Sequence, residues 1–120
     1  MPLTPDEAMR RIEVQLTHVW MVRTFLKHSE EADLDEELRE VHRTLYDYPL
    51  ALGEPWENQD AATYLKLAHK KFARLRQACD DFARIQPEVS THTNFQMAVE
   101  SLTAAVGEIG RVLEETATAG

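Results

Sequence analysis

The sequence predicts an all-α fold, a four-helix bundle with antiparallel up-down-up-down connections, and three observations predict it. Apolar residues recur at alternating steps of three and four through four stretches of the 120-residue chain, the spacing that stacks side chains on one face of a helix. Each stretch opens beside a residue suited to cap a helix N-terminus. No segment alternates with the period of two that a half-buried strand requires, and no repeat or low-complexity tract breaks the pattern.

The first helix opens at "TPDE", with Thr4 as cap, Pro5 at the first helical position and Glu7 three residues after the cap. Proline is harmless there because its missing N–H has no intrahelical partner anyway. Met9, Ile12, Leu16, Val19 and Leu26 form the seam, Arg23 interrupts it, and the helix is expected to run to about His28. A second cap pattern in "DLDE", Asp33 to Glu36, starts a helix carrying Leu34, Leu38, Val41, Leu45 and Tyr48, which Pro49 is expected to stop. Residues 49–58, "PLALGEPWEN", hold two prolines and a glycine and are expected to form a hydrophobic loop between the second and third helices, folded back on the bundle through Leu50, Leu52 and Trp56. The third helix begins near Asp60, bears Ala61, Leu65, Ala68, Phe72, Leu75, Cys79 and Phe82, and should end before Pro87. Thr93 and Gln96 form the next cap pair, followed by Phe95, Ala98, Leu102, Ala105, Ile109 and Val112, while the tail "TATAG" should fray.

Length and composition narrow the function classes. A chain of 120 residues with 43 % hydrophobic residues can bury one continuous core, so residues 1–120 are expected to be a single domain. The lone Cys79 excludes an internal disulfide and any multi-cysteine cluster, which fits a reducing, cytoplasmic setting. No apolar run follows a basic N-terminal flank and none approaches the length of a membrane span, so neither secretion nor membrane insertion is expected. A formal net charge of −8 argues against nucleic-acid binding by the whole surface.

Two features exceed what a plain bundle needs. The first helix has a second stripe, Val14, His18, Met21, Phe25 and His28, stepping four, three, four, three; at about 100° per residue Phe25 lies about 180° from Leu16. A stripe of that length is expected to be covered within the domain, to form an intermolecular seam, most simply of a two-fold homodimer, or to line a ligand groove. In the last helix Ala104, Gly107 and Gly110 are spaced by three, and each helical glycine costs about 1 kcal/mol relative to alanine. Close approach of a neighbouring helix would offset that cost.

The histidines do not have metal-ligand spacing. None of the five follows a glutamate by three residues, and none has a second histidine four residues away, so neither di-iron nor zinc signatures occur and no metal or cofactor is expected. Cys79 sits on a seam and should be an inert thiol. The run "EEADLDEELRE", with seven carboxylates between Glu30 and Glu40, reads as negative charge at a helix start rather than a cation site.

One segment stands out against the acidic background: "YLKLAHKKFARLR", residues 64–76, has five basic side chains, a histidine and no acid. Its simplest role is complementarity, with Lys71 and Arg76 flanking one seam and the acids Asp35 and Glu37 flanking that of the preceding helix. The alternative is a surface for a phosphorylated or polyanionic partner. Within it, "LAHKKFA" resembles the acceptor helix of histidine phosphotransfer domains, which would imply His69 as acceptor and Lys70 or Lys71 as its partner; the small glycine usual in that family is replaced here by Phe72 and Ala73. Likewise "RTFLKH" resembles the Arg-x4-His element of ribonuclease-type HEPN domains, implying Arg23 and His28, with Thr24 where the family usually carries a more polar residue. The function expected from the residues themselves is binding without catalysis: a protein-interaction module that associates with itself or another protein through the stripe on the first helix.

Overall fold

The computed structural model of the protein describes residues 3–119. Among them every regular element is helical: α1 (Pro5–Lys27), α2 (Glu30–Leu34), α3 (Glu36–Glu57), α4 (Ala61–Val89) and α5 (Thr93–Ala119). The expected all-α class holds. No helix is long and apolar enough to cross a membrane among the described residues.

Local chemistry sets most of the boundaries. The Thr4 side chain accepts the Glu7 N–H at 3.1 Å, as the opening motif predicts. Between α1 and α3 the chain makes an extra turn: Ser29 caps α2 by accepting the Ala32 N–H, and Asp35, rather than Asp33, caps α3 by accepting the Leu38 N–H at 2.9 Å. The start of α5 differs too, because His92 Nδ1 accepts the Asn94 N–H while Thr93 and Gln96 lie inside the helix. The tail expected to fray is helical to Ala119, and Gly120 lies outside the described residues.

The largest departure concerns residues 49–58. The expected hydrophobic loop does not form; α3 passes through Pro49 and Pro55 and ends at Glu57. A helical proline removes one backbone bond and crowds the carbonyl four residues before it, a cost of about 3 kcal/mol. What opposes that cost is a seam that never loses its rhythm, since Leu38, Val41, Leu45, Tyr48, Leu52 and Pro55 are all buried. Burying side chains of this size stabilises by roughly 1.5–3 kcal/mol each, so packing prevails over local propensity. The true turn is short. Asn58 closes α3, Gln59 adopts a left-handed φ of 51°, and Asp60 caps α4 through the Thr63 N–H at 3.1 Å. The same override carries α4 through Pro87 to Val89.

Helix α1 packs on α3 and α5, α4 packs on the same two helices, and the short α2 rests on α3. Two tyrosines tie the helices at buried positions. The Tyr48 hydroxyl donates to the Ala68 carbonyl at 3.0 Å, and the Tyr64 hydroxyl donates to Glu13 Oε2 at 2.7 Å. Burial raises the pKa of both, and the Glu13 carboxylate raises that of Tyr64 further. Both stay neutral donors at any ordinary pH.

The small residues of α5 divide in role. A Cβ at Gly110 would come within 2.9 Å of Phe72 Cζ, so α4 does approach closely there, but one at Gly107 would meet nothing within 4 Å. The expected close approach therefore accounts for one glycine and not the other. Gly107→Ala should raise unfolding free energy by about 1 kcal/mol, and Gly110→Ala should fall short of that gain because the Phe72 ring must shift. Urea unfolding of the two variants checks the difference; equal gains would show that the contact is soft.

Candidate functional site

The stripe predicted on α1 is divided by the fold. Val14 is 59 % exposed and Met21 63 %, and His18 and His28 also face outward. Phe25 is different: it is half-buried, with its ring edge-on to Phe95 of α5 at a centroid distance of 4.9 Å. Neither the hydrophobic segment around Trp56 nor another helix covers the rest, since Trp56 packs beside Tyr64 on the α4 side. Toward α3 the exposed surface continues as a shallow groove between Leu16, Trp20 and Met21 on one side and Pro49 on the other. Pro49, expected in a loop, thus belongs to a helical surface beside α1, and Leu50 to the side of α3 that faces α4.

Behind that groove lies a cluster the periodicity hides. Arg23, which interrupts the α1 seam, is only 8 % exposed. Its guanidinium carbon lies 3.9 Å from the Trp20 ring centroid and 5.6 Å from that of Tyr46, and one Nη donates to Thr24 Oγ1 at 3.1 Å. Stacking on aromatic faces supplies part of what a buried guanidinium loses in hydration. His42 of α3 is nearby and half-buried, and its pKa is lowered by burial first and then by the positive charges of Arg23 and Lys27. The structure places Arg23 with these aromatics and His42. No hydrogen bond joins it to His28, the partner that the HEPN resemblance implies, among the described residues.

The basic stretch on α4 does not complement α3 as expected. Glu37 pairs with Arg84, near the other end of α4, and Asp35 is occupied as a cap. Lys66, Lys70, Lys71, Arg74 and Arg76 form no ion pair with any described residue. Lys70, Lys71 and Arg74 line an open cleft of about 470 Å³ against Thr44, Asp47 and Leu50 of α3. His69 does not line that cleft; it is exposed on the α5 side, with Nε2 3.4 Å from Thr116 Oγ1. The three residues of the phosphotransfer resemblance are therefore not gathered around one cleft.

Other candidates are settled by placement. Cys79 is buried, burial raises its thiol pKa, and its Sγ lies 3.7 Å from Thr103 Oγ1. No group of three or more His, Cys, Asp or Glu side chains is placed to hold a metal ion among the described residues. Comparison with protein-family models, curated proteins and solved structures gave no match. The site must be read from its own geometry.

Sequence reasoning missed Trp20, Tyr46 and His42 as members of a site. A signal was present: Trp20 and Arg23 are three apart on one helix, the spacing that sets a cation over an aromatic ring. Tyr46 and His42 come from another helix, and only packing brings them in.

The cluster has a pH consequence. A histidine with a lowered folded-state pKa favours the native state while neutral, so its contribution is present above the ordinary value of 6.5 and is lost as pH falls through the folded value. The groups around it are Arg23 and Lys27 of α1, Asp33 of α2, and Arg39, Arg43 and Tyr46 of α3. Urea midpoints should drop as pH falls below about 6.5, and His42→Gln should flatten that drop. An unchanged slope in the variant would assign the loss elsewhere.

Proposed function

We propose that the protein is a single-domain interaction module that pairs with a second copy of itself through the exposed face of α1. The observation that carries this is the uncovered pair Val14 and Met21, bordered by Trp20 and the Pro49 groove. A second copy suits the face because the face is self-complementary. With a two-fold axis passing between Thr17 and His18, Val14 of one copy lies opposite Met21 of the other, and Glu7 lies opposite His28. Apolar meets apolar, carboxylate meets imidazole, and no like charges are opposed. One helix face per copy is small beside the roughly 1,200–2,000 Å² of a standard interface, so the pairing is reversible and depends on concentration.

Within this reading the four long helices form an antiparallel up-down-up-down bundle. Support comes from the order of contacts between helices. Glu37 meets Arg84, Tyr48 meets Ala68 and Trp56 meets Tyr64, so numbers rise along α3 as they fall along α4. The same reversal holds for His69 with Thr116, Phe72 with Gly110 and Cys79 with Thr103 on α4 and α5. The free thiol of Cys79 favours a cytoplasmic setting. Phosphotransfer through His69 and HEPN-like cleavage through Arg23 and His28 receive less support, because each would need side chains that the fold directs elsewhere.

Light scattering behind a sizing column, over a hundred-fold range of concentration, tests the pairing. The native chain should pass from monomer to dimer, and Val14→Asp with Met21→Asp should remain a folded monomer throughout. Glu7→Lys should weaken association by no more than about fivefold, the scale of an exposed pair, and adding His28→Glu should restore it. A native chain that stays monomeric sinks the proposal. A separate check concerns His69→Gln, which should leave both fold and association unchanged; loss of phosphoryl uptake from acetyl phosphate in that variant would favour the phosphotransfer reading instead.

A further inference from the structure

The corner where α1, α2 and α3 meet holds a buried positive charge without a counterion. Arg23 forms no ion pair with any described carboxylate, and its Nε–H is buried with no hydrogen-bond partner. His42 Nε2 is buried and unpartnered in the same way. Two orphaned polar atoms are unusual in a folded interior, where the large majority of buried polar groups are paired. A buried charge is also costly unless something offsets it, and stacking on Trp20 and Tyr46 gives only part of that compensation.

Beside these groups opens a cleft of about 400 Å³, within the range of small-molecule sites. Its charged lining is predominantly cationic: Lys27 from α1 and Arg39 and Arg43 from α3, against one carboxylate, Asp33, with His42 and Tyr46 beside them. Among the described residues Lys27 has no ion pair and Arg39 donates only to the Asp33 carbonyl, at 3.3 Å, while Arg43 reaches Glu40 at 3.5 Å on the open surface. Arg43 can turn inward at little cost, because an exposed pair of that kind contributes about 0–1 kcal/mol. The Tyr46 ring, 39 % exposed, gives the cleft an apolar side, with Leu26 and Ala32 buried beneath it.

We infer that this corner binds a small organic phosphomonoester as its dianion, with Lys27, Arg39 and Arg43 around the phosphoryl oxygens and Arg23 and His42 behind them. Three lining cations less one carboxylate leave a surplus of two, which matches a dianion, and Arg23 behind them adds to the positive field that draws it in. Guanidinium groups match a tetrahedral oxyanion by paired N–H donors. The phosphoryl group accounts for the cationic side of the cleft, and the organic portion for the exposed Tyr46 ring. Asp33 at the rim repels a second anionic group, so a monoester with an uncharged body fits better than a bisphosphate or a nucleic-acid backbone.

Phenyl phosphate is the probe, titrated into the full-length protein while amide and imidazole NMR resonances are followed. Saturable shifts should centre on residues 23–46, and the His42 imidazole should titrate at higher pH in the loaded protein than in the free one. Lys27→Gln combined with Arg43→Gln, both at exposed positions and therefore safe for folding, should weaken binding by about tenfold or more. Lys66→Gln with Lys70→Gln on α4 should leave it unchanged. Inorganic phosphate should bind more weakly than phenyl phosphate, because it has nothing to lay against the Tyr46 ring. The inference is overturned by any of three results: no saturable shift at millimolar probe, equal losses in the α1/α3 and α4 variants, or inorganic phosphate binding as tightly as phenyl phosphate.

Discussion

The unbroken apolar seam of α3 is the constraint on which the rest of the structure depends. Six buried residues from Leu38 to Pro55 keep one helix going through two prolines, and everything on its outer surface inherits that direction. Had the helix ended at Pro49, Tyr48 would have no fixed path to the Ala68 carbonyl, and Leu50 would have no defined place beside α4. Each proline costs about 3 kcal/mol of local helix stability. The seam outweighs this because its side chains meet α1 on one flank and α4 on the other, so the energy that holds α3 together is tertiary rather than local.

Arg23 shows the opposite case, a polar residue placed where the seam calls for an apolar one. Its long aliphatic stem can follow the core while the guanidinium lies over the Trp20 ring and near that of Tyr46. That stack joins α1 to α3 near the groove, and it leaves a positive charge close enough to His42 to disfavour the imidazolium. One substitution of pattern thus connects packing to electrostatics. The aromatic pair is also the border between the apolar face of α1 and the polar corner, so the two surfaces share a wall without sharing their contacts.

Helix type and core membership were legible in the sequence because both depend on local spacing. Met9, Ile12, Leu16 and Val19 on α1, or Leu75, Cys79 and Phe82 on α4, are buried as their periodicity requires. Boundaries at Thr4 and Asp60 were legible for the same reason, since a cap needs only its own side chain and an N–H three residues on. The course of α3 was not, although the steps from Tyr48 to Leu52 to Pro55 continue the pattern; a proline announces a local penalty, while the burial that offsets it belongs to other helices. Nor was the division of the α1 stripe legible. Phe25 and Met21 fall on the same helical wheel sector, and only the position of Phe95 decides that one is covered and the other is not.

Charge followed the same division between local and distant rules. Carboxylates gather at helix starts, as the dipole favours, and Asp35 and Asp60 serve as caps. Pairing across helices obeyed no such rule: Glu37 met Arg84 instead of the nearer-looking Lys71 or Arg76, because the start of α3 lies against the end of α4. The consequence falls on α4. Lys66, Lys70 and Arg74 follow one another at intervals of four with no acid among them, and like charges so placed destabilise an isolated helix by about 0.2–0.5 kcal/mol per pair. Their row cannot be counted among the interactions that hold the helices together. It persists as a local positive surface on a chain of net charge −8, kept folded by the apolar face behind it.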